Sequence, residues 1–372
     1  MQNRGNQPLM PHEYLQQGQS SYSERGVRQT GDHGDQTPDQ ANEMPFNFTP
    51  RDHMYSGEVS GQQISLSDCK GNKKALLIGI NYFGSKAELK GCINDVQNIS
   101  NAFLPKFGFD PTNVTILTDD QQHPLRMPTH DNIIGAMRWL VEGASPGDSL
   151  FLHYSGHGGT KKDEADGDEE DGYDETILPL DFEQKGEITD DTLFDILIRD
   201  LPKGVRLTAI FDSCHSGSVL DLPYTYKNDG SIAVTAHTTS GKEIAMSLLK
   251  AGLSFSQGKK KEALGSLLTG IRGFLSKPKK SVAQLAAEKK AVVADVIQFA
   301  GCRDDQTSAD ACIDKKATGA MSYALLATLR DNPDQTYLDL LNNLRQILCN
   351  KYTQIPQIST GYPMDLNNPF FL

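Results

Sequence analysis

Two short apolar runs constrain this chain more than any other feature. Residues 150–154 (Leu-Phe-Leu-His-Tyr) and 207–211 (Leu-Thr-Ala-Ile-Phe) each break into a tight polar turn that contains glycine: Ser-Gly-His-Gly-Gly at 155–159 and Asp-Ser-Cys-His-Ser-Gly at 212–217. Runs this short and this evenly apolar are expected of strands buried on both faces, the kind that make a parallel sheet. In open parallel sheets functional groups gather just past the carboxyl ends of neighbouring strands. His157 and Cys214 sit in those two turns. A cysteine and a histidine delivered to adjacent strand ends are the minimum apparatus for a thiol nucleophile with its base.

The rest of the pattern supports such a sheet. Residues 74–80 and 114–117 have the composition of further strands, 206–211 extends the second apolar run, and 294–300 returns to strand. Helical spacing runs over 94–107, where Ile99, Phe103 and Phe107 share a face, and over 131–142, with Asp131 placed as its cap. Further helices are expected around 191–198, 321–329 and 337–348, and the C-terminus reads as an extended segment punctuated by proline. Strand alternating with helix at this rhythm gives a mostly parallel α/β sheet with helices on both faces.

Composition divides the chain. Residues 1–66 are rich in Gln, Asn, Gly, Ser and Pro and carry almost no apolar periodicity, so they are expected to be a disordered leader ahead of one folded domain at 67–372. Within that domain, 222–290 loosens into short helical stretches around 242–250 and 262–275. Its 258–290 part is strongly basic, read either as a flexible solvated insertion or as an exposed segment open to proteolysis. No signal-like opening and no apolar stretch near the roughly 20 residues that span a bilayer are present, which points to a soluble protein of the cytoplasm, with the nucleus as a second compartment. The six cysteines show no C-x-x-C pair, and the net charge of −12 argues against nucleic acid as a partner.

Cys214 follows a buried strand and lies in a polar turn, so its thiol should face a cleft, where backbone N–H groups can lower its pKa and hold an oxyanion. His157, between Gly156 and Gly158, should present an exposed imidazole able to take the thiol proton. His215 is the competing base, but neighbours on an extended turn point apart. The His153/His157 spacing on a strand does not suit a helical metal site. Residues 163–175 hold nine carboxylates in thirteen positions. That density invites a hard divalent cation such as calcium, though not through an EF-hand, since no aspartate stands at the required offset from Gly167 or Gly172.

Five motifs together resemble the type I metacaspases: His-Tyr-Ser-Gly-His-Gly at 153–158, Asp-Gly-Tyr-Asp-Glu-Thr-Ile-Leu-Pro at 171–179, Asp-Ser-Cys-His-Ser-Gly-Ser-Val-Leu-Asp-Leu-Pro at 212–223, Gly-Cys-Ile-Asn-Asp-Val at 91–96 and Gln-Thr-Ser-Ala-Asp at 306–310. The resemblance implies a caspase-like fold and a cysteine endopeptidase that cleaves protein substrates after Arg or Lys. It implies Cys214 as nucleophile, His157 as acid and base, and the amides of Gly158 and Cys214 as the oxyanion hole. It further implies an S1 pocket of Asp95 and Asp212 lined by Cys92 and Ser155, and an activating Ca2+ site of Asp174, Asp190, Asp191 and Asp221, with no organic cofactor. Two carboxylates in a partly dry pocket favour a guanidinium or ammonium over an acidic side chain. By the same resemblance the leader is a prodomain, the protein is a monomer that cuts itself at basic residues, and its role lies in stress response, programmed cell death or protein quality control.

Two rivals differ in kind. A peptidase specific for Asp needs a basic S1 pocket, and the matched positions are acidic. A calcium-responsive scaffold, acting on aggregates without proteolysis through the Gln/Asn-rich leader, would survive Cys214→Ala, whereas peptidase activity would not. A nucleotide-binding role lacks both G-x-G-x-x-G and a P-loop after the first strand.

Overall fold

The computed structural model describes residues 56–59, 62–162, 173–214, 216–217, 219–226, 232–234, 292–301, 310–313, 316–351, 355–362 and 364–372. Its strands are β1 (Ser56–Val59), β2 (Gln62–Ser65), β3 (Lys73–Gly79), β4 (Val114–Thr118), β5 (Ser149–Ser155), β6 (Gly158–Lys162), β7 (Tyr173–Ile177) and β8 (Ile188–Thr189). They continue with β9 (Arg206–Asp212), β10 (Tyr224–Tyr226), β11 (Ile232–Val234), β12 (Asp295–Ala300), β13 (Asp310–Ile313), β14 (Lys316–Gly319) and β15 (Gln357–Thr360). Five helices position the site: α1 (Cys92–Asn98), α2 (His130–Val141), α3 (Asp190–Leu197), α4 (Ala320–Asp331) and α5 (Tyr337–Lys351).

The central sheet runs β11-β10-β15-β12-β9-β5-β3-β4. The four pairings from β12 through β9, β5 and β3 to β4 are parallel, and the three on the other side of β12 are antiparallel. Every residue of β5 and β9 is buried, so both faces of the sheet must be covered. Alternate side chains feed two cores. Leu150, Leu152 and Tyr154 join α2 and α3 on one face, while Phe151 and Ile210 join α1, α4 and α5 on the other. Burying these side chains contributes roughly 1.5–3 kcal/mol each, which locks the register: a slip of one residue would exchange the two faces.

The end of the sheet remote from the turns is tied by a buried ion pair. Arg206 Nη2 lies 2.6 Å from Asp295 Oδ2, and Nη1 donates to Tyr337 Oη at 2.8 Å. Ser67 N–H donates to the same Asp295 carboxylate, so the chain is fastened to the domain two residues after β2. A charge pair this deep is tolerable because each partner also meets neutral groups, Tyr337 and Phe371 on the arginine and Ser67 and Tyr362 on the aspartate.

Several elements differ from the sequence expectation. Within the 1–66 leader, 56–59 and 62–65 pair as the antiparallel strands β1 and β2, and 1–55 lie outside the described residues. The helix expected over 94–107 is α1 followed by a π turn (Ile99–Phe103) and a 3-10 turn (Leu104–Phe107), because Pro105 removes an amide donor and Gly108 ends the turn at φ 75°. Asp131 does not cap α2. Thr129 holds the N-cap position, and Asp131 sits in the first turn beside His130 and Lys185. The acidic run becomes strand from Tyr173, because Tyr173–Ile177 pairs with Gly158–Lys162. The loose segment 222–290 begins with two strands of the main sheet, β10 and β11, while its expected helices at 242–250 and 262–275 lie outside the described residues. The extended C-terminus contributes β15.

Candidate active site

Register brings the two turns together. β5 and β9 pair in parallel from Ser149↔Arg206 to Ser155↔Asp212, so His157 and Cys214 each stand two residues beyond the same rung. The turns touch: a Cβ on Gly158 would overlap the Cys214 carbonyl oxygen, so only glycine lets the two backbones come this close. Cys214 is half-buried. Gln298, buried on β12, grips the chain after it, donating to the carbonyls of Ser216 (2.7 Å) and Gly217 (3.0 Å) and accepting from Leu220 N–H (3.1 Å). His215, the competing base, lies outside the described residues.

The imidazole of His157 is half-buried, with Nε2 2.7 Å from the Ala87 carbonyl. A carbonyl only accepts, so Nε2 carries the hydrogen and Nδ1 keeps the lone pair a base needs. The other histidine of the motif, His153, is buried beneath the site. Its Nε2 lies 2.9 Å from Ser322 Oγ, and burial depresses its pKa to about 3, so it is a neutral core residue.

Asp95, Asp212, Cys92 and Ser155 are all buried, Asp95 completely and Asp212 to within 4%. Both carboxylates are gripped by donors. Asp95 accepts from Ser155 Oγ–H at 2.8 Å and from Gly319 N–H at 3.0 and 2.9 Å, and Asp212 Oδ2 accepts from Ser322 N–H at 2.7 Å. Gly319 and Ser322 belong to the start of α4, whose N-terminal dipole also favours anions. The segment at Gly319 thus roofs an anionic floor.

A second acidic group lies where β7 meets α3. Ligand oxygens of Asp190, Asp191 and Asp221 fall within 4.8 Å of one another. Asp174, expected as a direct ligand, is on β7 next to Glu175 but outside that 4.8 Å cluster. Asp190 accepts from the amides of Glu175 (2.9 Å) and Asp191 (2.8 Å), which favour its anion. Burial, followed by the charges of Asp221 and Glu175, outweighs them and pushes its pKa up to about 10. Crowded, partly buried oxygen donors suit a hard divalent cation.

Sequence reasoning did not find Tyr82, Ala87, Gln298, Gly319 or Ser322. Each acts through a backbone group or a distant hydrogen bond, and only the Gly319-Ala320 step opening a helix offers even a local hint.

Comparison with known proteins agrees with these motifs. The family model for the metacaspase, peptidase C14 domain, matches residues 73–223. Metacaspase-1 of Pyricularia oryzae is 48% identical over 336 residues, covering 90% of this chain and 82% of that protein. Metacaspase-1 of Meyerozyma guilliermondii is 49% identical over 310 residues, 82% of this chain and 74% of that one. Among solved structures, a protein from Geobacter sulfurreducens is 25% identical and aligns over 78% of this chain and 93% of its own, with a TM-score of 0.47.

Proposed function

The chain belongs to the metacaspase family of cysteine peptidases, and from that premise we propose a calcium-activated endopeptidase that cuts proteins after Arg or Lys, with Cys214 as nucleophile and His157 as its base. The observation that carries the reading is the β5–β9 register, which sets both residues two positions beyond one rung. Nδ1 of His157 takes the thiol proton as sulfur attacks the scissile carbonyl. The amides of Gly158 and Cys214 receive the negative charge that develops on oxygen. The C–N bond then breaks, and the imidazolium gives its proton to the leaving amine. Water, deprotonated by the same nitrogen, attacks the thioester, the C–S bond breaks and the thiol is restored.

Specificity is assigned to Asp95 and Asp212, whose paired negative charge suits a cationic P1 side chain. Reaching them requires the backbone at Gly319 to move aside, which makes the described conformation a latent one. Asp190, Asp191 and Asp221, with Asp174 nearby, would hold calcium, whose charge offsets carboxylates that otherwise repel. The same P1 preference makes Lys227 and the basic 258–290 stretch candidates for self-cleavage.

Steady-state hydrolysis of fluorogenic peptides ending in Arg, Lys or Asp, with millimolar calcium and with chelator, tests the reading. Cleavage after Arg and Lys only, and only with calcium, is expected. Cleavage after Asp, or equal rates with chelator, would overturn the specificity or the metal site respectively. No cleavage by folded protein would favour the scaffold.

A further inference from the structure

We propose that Tyr82 is a positioning residue for the catalytic histidine, acting with Tyr154 as a phenol clamp on the His157 backbone; this rests on the reading of His157 as the base. Tyr82 lies just past the end of β3, the strand that pairs with β5 on the side away from β9. Its side chain is buried, and its hydroxyl meets three polar groups. It accepts from His157 N–H at 3.0 Å, donates to the Leu178 carbonyl at 2.7 Å, and lies 3.2 Å from the Tyr154 hydroxyl. Tyr154 completes the arrangement by donating to the His157 carbonyl at 2.6 Å and accepting from Leu178 N–H at 3.2 Å. Both backbone groups of the histidine are therefore held by phenols.

The clamp also reaches the ring. Tyr82 packs its ring 4.8 Å from the imidazole centroid, tilted by 42°. It opens the loop that presents Ala87, closed by Ser85 N–H to the Tyr82 carbonyl (3.1 Å) and Leu89 N–H to the Asn81 carbonyl (2.7 Å). One residue thus fixes the histidine's main chain, one face of its ring and the carbonyl that sets its tautomer. Two further features fit this role. Tyr82 holds a left-handed backbone at φ 52°, which costs a non-glycine residue about 1 kcal/mol or more. Gly156 leaves room for the hydroxyls, since a Cβ there would stand 2.7 Å from Tyr154 Oη and 3.1 Å from Tyr82 Oη. Both phenols stay protonated, because burial raises each pKa well above the usual tyrosine value.

Neither hydroxyl is assigned a step in the chemistry. Their contribution is to keep Nδ1 aimed at the sulfur, and misplacement of a catalytic group by about an ångström lowers rates by roughly a hundredfold. Tyr82→Phe keeps the ring contact and removes the acceptor for His157 N–H. The experiment is steady-state kinetics on an Arg peptide, with active sites counted by stoichiometric alkylation of Cys214. Expected is a fall in kcat per titrated site of about tenfold to a hundredfold, with KM within about twofold of wild type. A purely structural role would reduce the number of titratable sites and the melting temperature while leaving kcat per site unchanged, and that result overturns the proposal. If Tyr82→Phe fails to fold, Tyr154→Phe, which removes the donor to the His157 carbonyl, carries the same expectation. Failure of the dyad itself is separately visible: His157→Ala would then retain cleavage.

Discussion

The polar partners of His157 are two phenols, a backbone amide and a backbone carbonyl, all neutral and all in place, whereas the neighbours of Asp190 include two further carboxylates. Both regions sit at strand or helix ends and both receive backbone hydrogen bonds. They differ in what is left over. Around His157 both backbone groups and Nε2 meet neutral partners without any added group, so the geometry is preorganised. Around Asp190 two amide bonds fail to offset burial and like charge. Asp95 shows that a buried carboxylate alone is not the cause: it is fully buried too, yet it is met by a hydroxyl and a bifurcated amide. On the proposed function, one region acts as it stands and the other awaits a cation.

The largest effect expected is at the dyad. Cys214→Ala and His157→Ala should each lower kcat by on the order of a thousandfold or more, with melting temperatures near wild type. A single variant that kept a tenth of the activity would remove that residue from the chemistry. Next comes the S1 floor. Asp95→Asn should lower kcat/KM for Arg peptides by roughly a hundredfold, while iodoacetamide still alkylates Cys214 at the wild-type rate. Loss of both together would mean that Asp95 shapes the turns and not the pocket.

The acidic corner should respond with the opposite sign in stability. Millimolar calcium is expected to raise the melting temperature of the wild type by about 2–6 °C and to leave Asp190→Ala/Asp191→Ala unmoved. The double variant without calcium should be no less stable than wild type, since the cost of burying the Asp190 carboxyl beside other acids is gone; marked destabilisation would show that they are structural. The smallest effect concerns His153. Its folded pKa of about 3 lies below the ordinary 6.5, so the unfolded chain takes up a proton first as pH falls. Its contribution is intact above pH 6.5 and is lost progressively between there and pH 3. Urea unfolding should show wild type losing about 1–2 kcal/mol more than His153→Gln between pH 7 and pH 5. Equal losses would contradict the burial of a neutral ring.

What the sequence made legible follows from how each feature is encoded. β5 and β9 could be read because both faces are buried and the apolar runs are unbroken. The turns could be read because glycine and a reactive side chain stand side by side. Tyr82 and Gln298 could not, since each is an ordinary strand-end or strand residue until a partner tens of positions away, His157 or Ser216, is known. Ala87, Gly319 and the amide of Ser322 contribute backbone atoms, which side-chain identity does not announce. The misplaced α2 cap has a simpler cause: Thr129 and Asp131 are both good capping types two positions apart, and local sequence does not choose between them.

The most direct test of the central claim, that β5 and β9 deliver one reactive thiol to an acidic S1 pocket, is covalent labelling. Folded protein with calcium is treated with matched fluoromethyl ketones bearing Arg or Asp at P1, and adducts are located by peptide mass spectrometry. A single adduct on Cys214, formed by the Arg reagent alone and lost in His157→Ala, is the expected result. Labelling of another cysteine, or equal labelling by the Asp reagent, would contradict it.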